Sequence, residues 1–202
     1  MENSYQYIDP KLKYSDENGV LFNLAEITEN KILIVFESLK VSKRVEELFE
    51  KPSKIKDSES LLKIHFYLFQ DVYKWAGQVR TVNISKDGKQ FFDGERFDSA
   101  FRYLDTLITE YRKLKKNNKT EIAEKLADIL DNVNYLHPFR EGNGRTQREF
   151  LRILALEKGF NLILNPPDNK NIYERYMKGA IESDLKILAE LILELIEKKN
   201  GS

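Results

Sequence analysis

The 202-residue chain contains no cysteine, which excludes a disulfide scaffold and every thiolate-based metal or redox centre. Histidine is nearly as scarce: His65 and His137 are the only two, too few for a histidine-rich zinc site without further ligands at suitable spacing. Charge of one sign is also missing, since 33 basic and 33 acidic residues cancel. A neutral total argues against a broad polyanion-binding face, and so against direct nucleic-acid binding, but it leaves room for a local basic patch. There is no run of ~18 apolar residues that could cross a membrane. The polar opening MENSYQYIDP has neither the basic start nor the apolar stretch of a signal peptide. The expectation is a cytoplasmic protein with no membrane partner. What is present is ordinary for a folded domain: 41% hydrophobic and 33% charged residues.

With only nine glycines and five prolines, the positions of these residues punctuate the chain. Residues 1–24, with Pro10 and Gly19, read as an irregular arm. Thr28 can cap a helix whose stripe is Leu33, Phe36, Leu39, Val41 and Leu48, stopped by Pro52. Ser58-Glu59-Ser60 opens a second, apolar helix that should run towards Gly77. The period then changes. Val82-Asn83-Ile84-Ser85 alternates, Lys86-Asp87-Gly88-Lys89 has turn chemistry, and Gln90-Phe91-Phe92 resumes an apolar run, which predicts a hairpin. Helices are expected over 97–115, 120–135 and 145–158, the last closed by Gly159. Pro166-Pro167 forces a break, and two more helices should fill 171–199. The fold class is therefore mostly α, a single helical domain with one β-hairpin.

One segment stands apart: Leu136-His137-Pro138-Phe139-Arg140-Glu141-Gly142-Asn143-Gly144-Arg145-Thr146-Gln147-Arg148. Pro138 pushes His137 out of helical geometry. Gly142 and Gly144 allow a tight turn that exposes backbone N–H groups, the ingredients of an anion nest. A helix begins directly afterwards, aiming its positive end at the same loop. Arg145, Arg148 and Arg152 follow at i, i+3 and i+7, so nest, helix terminus and arginine stripe together describe a pocket for several phosphates. Glu141 is a hard oxygen ligand placed where it could hold Mg²⁺. His65, inside the apolar run Leu61–Phe69, reads as structural, and Phe139 as a buried anchor of the loop.

The segment His137–Arg148 resembles the Fic family signature, written H-P-F-x-D/E-G-N-G-R-x-x-R, and agrees with it at all nine specified positions. Residues 64–81 are similar to the stretch that precedes the flap hairpin of that family. Asn18-Gly19-Val20-Leu21-Phe22-Asn23 resembles the start of Fic proteins from toxin–antitoxin pairs and secreted effectors. The resemblance covers about 18–190. It implies a stand-alone, toxin-like Fic domain over 25–199, with its core at about 60–190 and its motif at 137–148, preceded by the arm 1–24.

The resemblance also implies an activity: transfer of AMP from ATP, with Mg²⁺, to a Tyr, Ser or Thr hydroxyl of a target protein, releasing pyrophosphate. By family analogy His137 is the general base and Glu141 the metal ligand. Gly142, Asn143 and Gly144 line the anion hole, with the Asn143 side chain on a phosphate oxygen. Arg145 reaches the β-phosphate and Arg148 the γ-phosphate. The hairpin becomes a flap, with Asn83, Ile84, Ser85 and Lys86 as the edge that pairs with the target backbone. Gly144 and Arg148 are kept, which favours AMP transfer over the family's phosphate-transferring branch; the rarer transfer of phosphocholine or UMP stays open as an alternative, and the intact motif disfavours an inactive nucleotide-binding module. An inhibitory helix of the form S/T-x-x-x-E-G/N is not matched; the nearest fragment, Ser42 to Glu47, has Glu47 at the last position. The resemblance therefore points to inhibition, if there is any, by a small antitoxin-like partner acting in trans on Arg148; the alternative is Glu46 as a degenerate internal inhibitor. Its target class would be the ATPase subunits of type II topoisomerases.

Overall fold

The computed structural model describes residues 5–7, 13–86, 89–164 and 169–198. Among them are seven helices: α1 (Asn30–Glu50), α2 (Glu59–Phe69), α3 (Phe97–Lys113), α4 (Lys119–Leu136), α5 (Asn143–Glu157), α6 (Lys170–Glu182) and α7 (Leu185–Leu195). The strands are short. β1 (Tyr5–Tyr7), β2 (Ile84–Lys86) and β3 (Lys89–Gln90) form one antiparallel sheet, and β4 (Phe160–Asn161) pairs with β5 (Glu197–Lys198).

The core is built around α4 and α5. On α4, Ile122, Leu126, Ile129, Leu130 and Val133 are buried, and the helix packs against α3, α5 and α7. Burying each such aliphatic side chain contributes about 1.5–3 kcal/mol. On α3, Leu104, Leu107, Ile108 and Tyr111 recur at helical spacing and face inward, and the Tyr111 hydroxyl donates to the Leu154 carbonyl at 2.7 Å. α5 is wedged between α2 and α4, so Phe150, Leu151, Ile153 and Leu154 are all buried. Its C-terminal half, from Phe150 to Ala155, is buried on every face.

Helix ends follow simple chemistry. Asn118, Asn169 and Asp184 accept N-terminal backbone N–H groups of α4, α6 and α7. Lys158 donates to the carbonyls of Arg112 and Leu114, closing the C-terminus of α3 at 2.9 and 2.7 Å. Gly159, at φ +85°, follows α5 as expected of a terminating glycine.

Several boundaries differ from the sequence reading. α1 begins at Asn30 after Glu29, without the Thr28 cap. α2 stops at Phe69 rather than near Gly77, because Val72 and Tyr73 both turn back onto the Phe69 carbonyl and Val72 in turn accepts from Leu24. α5 begins at Asn143, so Asn143 and Gly144 lie in its first turn. β1 and the β4–β5 pair were not anticipated. The turn residues Asp87 and Gly88, and the break at Pro166-Pro167, lie outside the described residues. Tyr14 and Val20, assigned to the arm, are buried in the common core.

Candidate active site

The C-terminus of α4, the loop 137–142 and the N-terminus of α5 form one continuous site. His137 ends α4 in the left-handed region, at φ 42° and ψ 59°, so its ring turns off the helix. Its Nδ1 lies 3.1 Å from the Asn134 carbonyl. A carbonyl can only accept, so Nδ1 carries the proton and Nε2 keeps the lone pair. The ring is nearly covered, stacked on Phe91 from the hairpin with centroids 3.9 Å apart.

Arg80 holds this position from behind. It is 2% exposed, and its Nε donates to the His137 carbonyl and its Nη1 to the Val82 carbonyl, each at 2.8 Å. Nη2 donates to the Phe92 carbonyl, and the Arg80 backbone N–H to the Pro138 carbonyl. The guanidinium also lies over the Phe97 ring. The turn at His137 and the hairpin are thus fastened through one side chain, and burial pushes its pKa down to about 10.

The turn into α5 depends on Gly142, at φ +83°. A Cβ there would sit 2.3 Å from the Phe69 ring, so no other residue fits. Gly144 is helical rather than left-handed, and a Cβ on it would press on Arg148 Nη1 at 3.2 Å. The tight turn expected from both glycines therefore comes from Gly142 alone. The first intrahelical bond of α5 runs from Thr146 N to Gly142 O. Among the described residues nothing accepts the N–H groups of Asn143, Gly144 and Arg145. Orphan donors at a helix N-terminus are the geometry that suits an anion.

Two expected phosphate contacts are already engaged. Asn143 Oδ1 accepts from Phe139 N at 2.9 Å and its Nδ2 donates to Phe139 O at 2.8 Å. Its amide clasps the loop, so only the second Nδ2 hydrogen remains for a ligand. Arg152 is buried, paired with Glu149 at 2.8 Å and donating to the Leu48 carbonyl. It leaves the supposed arginine stripe. Arg145 and Arg148 remain; among the described residues Arg148 has no ion pair. A cavity of about 250 Å³ opens beside them, lined also by Val45, Phe49 and Ile163.

Glu141 Oε1 accepts from Gly142 N at 2.8 Å and lies 3.5 Å from Arg145 Nη2, while Oε2 makes no hydrogen bond among the described residues. Those residues include no cluster of three metal-ligating side chains. One carboxylate with a free oxygen beside the orphan N–H groups is nevertheless a donor set that would suit Mg²⁺ shared with phosphates. Of the hairpin, Ile84 is buried and Asn83 exposed. The β2 edge is already taken, because Tyr5, Gln6 and Tyr7 pair with Lys86, Ser85 and Ile84.

His65 is structural, as its sequence setting suggests, but it belongs to the site. Its Nδ1 accepts from Gly77 N at 2.8 Å, so Nε2 carries the hydrogen donated to the Glu141 carbonyl at 3.0 Å. The ring stacks on Phe139, itself buried, at 3.7 Å. Burial pulls its pKa from 6.5 to about 3. Between these values the unfolded chain binds a proton that the folded chain refuses, so stability falls as pH drops through 6.5. Denaturant titrations at pH 7, 6 and 5 should show the stability advantage of the native chain over His65→Gln shrinking by ~0.7 kcal/mol between pH 7 and 6 and by ~1.2 kcal/mol between pH 6 and 5. A difference independent of pH would contradict the neutral, buried ring.

Comparison with known proteins gives the family and the fold. Residues 55–155 match the model of the Fic/DOC family. The chain is 36% identical over 157 residues to the protein adenylyltransferase VbhT of Bartonella schoenbuchensis, covering 77% of this chain but 32% of that protein. It is 32% identical to the probable protein adenylyltransferase y4lH of Sinorhizobium fredii, over 95% of this chain and 96% of that one. In fold it is similar to the BepC protein of Bartonella tribocorum with bound AMPPNP, at a TM-score of 0.80 and 22% identity over 93% and 97% of the two chains. A Fic domain from Bartonella quintana with bound ADP has a TM-score of 0.81. With its motif, its helical fold and a near full-length relative all in agreement, the chain belongs to the Fic/DOC family.

Proposed function

We propose that the chain moves AMP from ATP onto a hydroxyl side chain of a target protein, releasing pyrophosphate. The observation that carries this reading is the set of orphan N–H donors at the start of α5, beside Arg145, Arg148 and a histidine whose tautomer leaves Nε2 basic. The relatives described as protein adenylyltransferases support the same reaction.

In this reading the hydroxyl gives its proton to His137 Nε2 as its oxygen bonds to the α-phosphorus. The bond from that phosphorus to the β-phosphate oxygen breaks, and pyrophosphate leaves. The N–H groups of Asn143, Gly144 and Arg145, with the two arginines, face the charge that grows on the phosphates. Asn143 keeps the loop in register through Phe139. Glu141, through its free oxygen, would hold Mg²⁺, which when bound neutralises phosphate charge.

The Fic domain spans 25–199 in this reading, with 1–24 as an arm anchored by Tyr14 and Val20. Asn83, Ile84, Ser85 and Lys86 form the flap edge for the target backbone. Residues 5–7 hold the place of an incoming strand, so docking there displaces them. The ATPase subunits of type II topoisomerases are the proposed target class. Inhibition by an antitoxin-like partner is favoured over Glu46 acting in cis: Glu46 is exposed, no ion pair among the described residues joins it to Arg148, and the cavity beside Arg148 is open.

Intact-mass analysis of host proteins incubated with the chain, ATP and Mg²⁺ tests the reaction. A gain of ~329 Da on a protein is the expected result; ~80 or ~165 Da would mean phosphate or phosphocholine transfer instead.

A further inference from the structure

Outside the motif, one carboxylate enters the site. Glu37 comes from the middle of α1, and its side chain is only 12% exposed. Its Oε1 lies 2.6 Å from Arg145 Nη2, and its Oε2 accepts the hydroxyl hydrogen of Tyr73. Tyr73 is itself buried, stacked on Trp75 at 4.3 Å, with Phe69 on its other flank. Both the burial of Tyr73 and the Glu37 charge raise its phenol pKa, so it stays a donor. The Arg145 guanidinium lies over the Phe69 ring at 4.7 Å.

We propose that Glu37, oriented by Tyr73, is a positioning residue for Arg145: it fixes the guanidinium by one nitrogen and leaves the other N–H groups for phosphate oxygens. The inference rests on the reading of Arg145 as a phosphate ligand. Both carboxylates near Arg145, Glu37 and Glu141, approach it at Nη2. Among the described residues Nε and Nη1 have no acceptor. A carboxylate competing with the nucleotide would instead occupy the open side of the fork. Here Glu37 reaches only Nη2, from α1, and the Tyr73 hydroxyl holds its other oxygen. A guanidinium on a flexible stem otherwise loses rotamer freedom when it binds, and prior fixation removes that cost from the binding step.

A double-mutant cycle on the full chain tests this, using Glu37→Gln, Arg145→Ala and both together. The readouts are ATP affinity by calorimetry, kcat and KM for AMP transfer, and thermal unfolding. Glu37→Gln keeps the shape of the side chain and should weaken ATP binding and raise KM roughly tenfold, with the effect vanishing in the Arg145→Ala background. Tyr73→Phe should give a smaller loss in the same direction. Additive losses would mean that Glu37 acts through α1 packing, and tighter ATP binding by Glu37→Gln would make it a competing anion; either result overturns the proposal. If Arg145→Ala alone leaves ATP binding and KM unchanged, the phosphate-ligand reading of Arg145 fails and the inference falls with it.

Discussion

His137→Asn is expected to lower AMP transfer by about 10²–10⁴-fold, the range for loss of a general base, while ATP binding persists. Nδ1 is committed to the Asn134 carbonyl, so Nε2 is the only basic atom of the ring. Asparagine tolerates the left-handed backbone that position 137 requires, which makes it a cleaner substitution than alanine. Its neutral amide cannot accept a proton from a hydroxyl near pH 7. In the proposed reading the phosphate donors belong to other residues, the first turn of α5 with Arg145 and Arg148, so nucleotide binding has no reason to change. Transfer measured with α-labelled ATP, alongside calorimetric ATP binding, separates the two. Undiminished labelling would remove His137 from the role of base, and joint loss of labelling and binding would make it structural.

The site was legible in the sequence where its chemistry lies on adjacent residues. A histidine, a glycine-rich turn and three arginines within a dozen positions can only crowd together, whatever surrounds them. The helices were legible because apolar periodicity and terminators such as Pro52 and Gly159 are local signals. Their ends were less so: α2 stops at Phe69 because of contacts made by Val72 and Leu24, which no local pattern encodes. Arg152 shows the limit in another way. Its spacing fits a phosphate stripe, but Glu149 on the preceding turn already neutralises it. The supports of the loop were out of reach, because they come from far along the chain. His65 meets Glu141 from 76 residues away and Arg80 meets His137 from 57. An apolar run around His65 announces burial, but not which carbonyl the ring will find. Glu37 was hidden in the same way, as one of several charged residues on an amphipathic helix.

Arg80 carries the larger structural consequence. Arg80→Met keeps much of the side-chain volume but deprives three backbone carbonyls, those of His137, Val82 and Phe92, of their donor. Each buried acceptor left unpaired costs about 1–3 kcal/mol, partly offset by no longer burying a charge. A net loss of about 3 kcal/mol is expected, a fall of roughly 6–12 °C in Tm for a chain of this size. Arg80→Lys should rescue little of it. A single ammonium has no planar fork to meet three divergent carbonyls, even though a lysine would remain charged. Below the lowered Tm, the effect on function should divide along the site. The start of α5 keeps its own supports, namely the Asn143 clasp on Phe139, the Thr146 bond to Gly142 and the His65 bond to Glu141. The turn at His137 and the hairpin lose theirs together. ATP affinity should therefore stay close to that of the native chain while kcat falls, because in the proposed reading His137 and the flap would no longer be held in one register. Equal losses in ATP affinity and kcat would show that Arg80 supports the whole site rather than its base-bearing half.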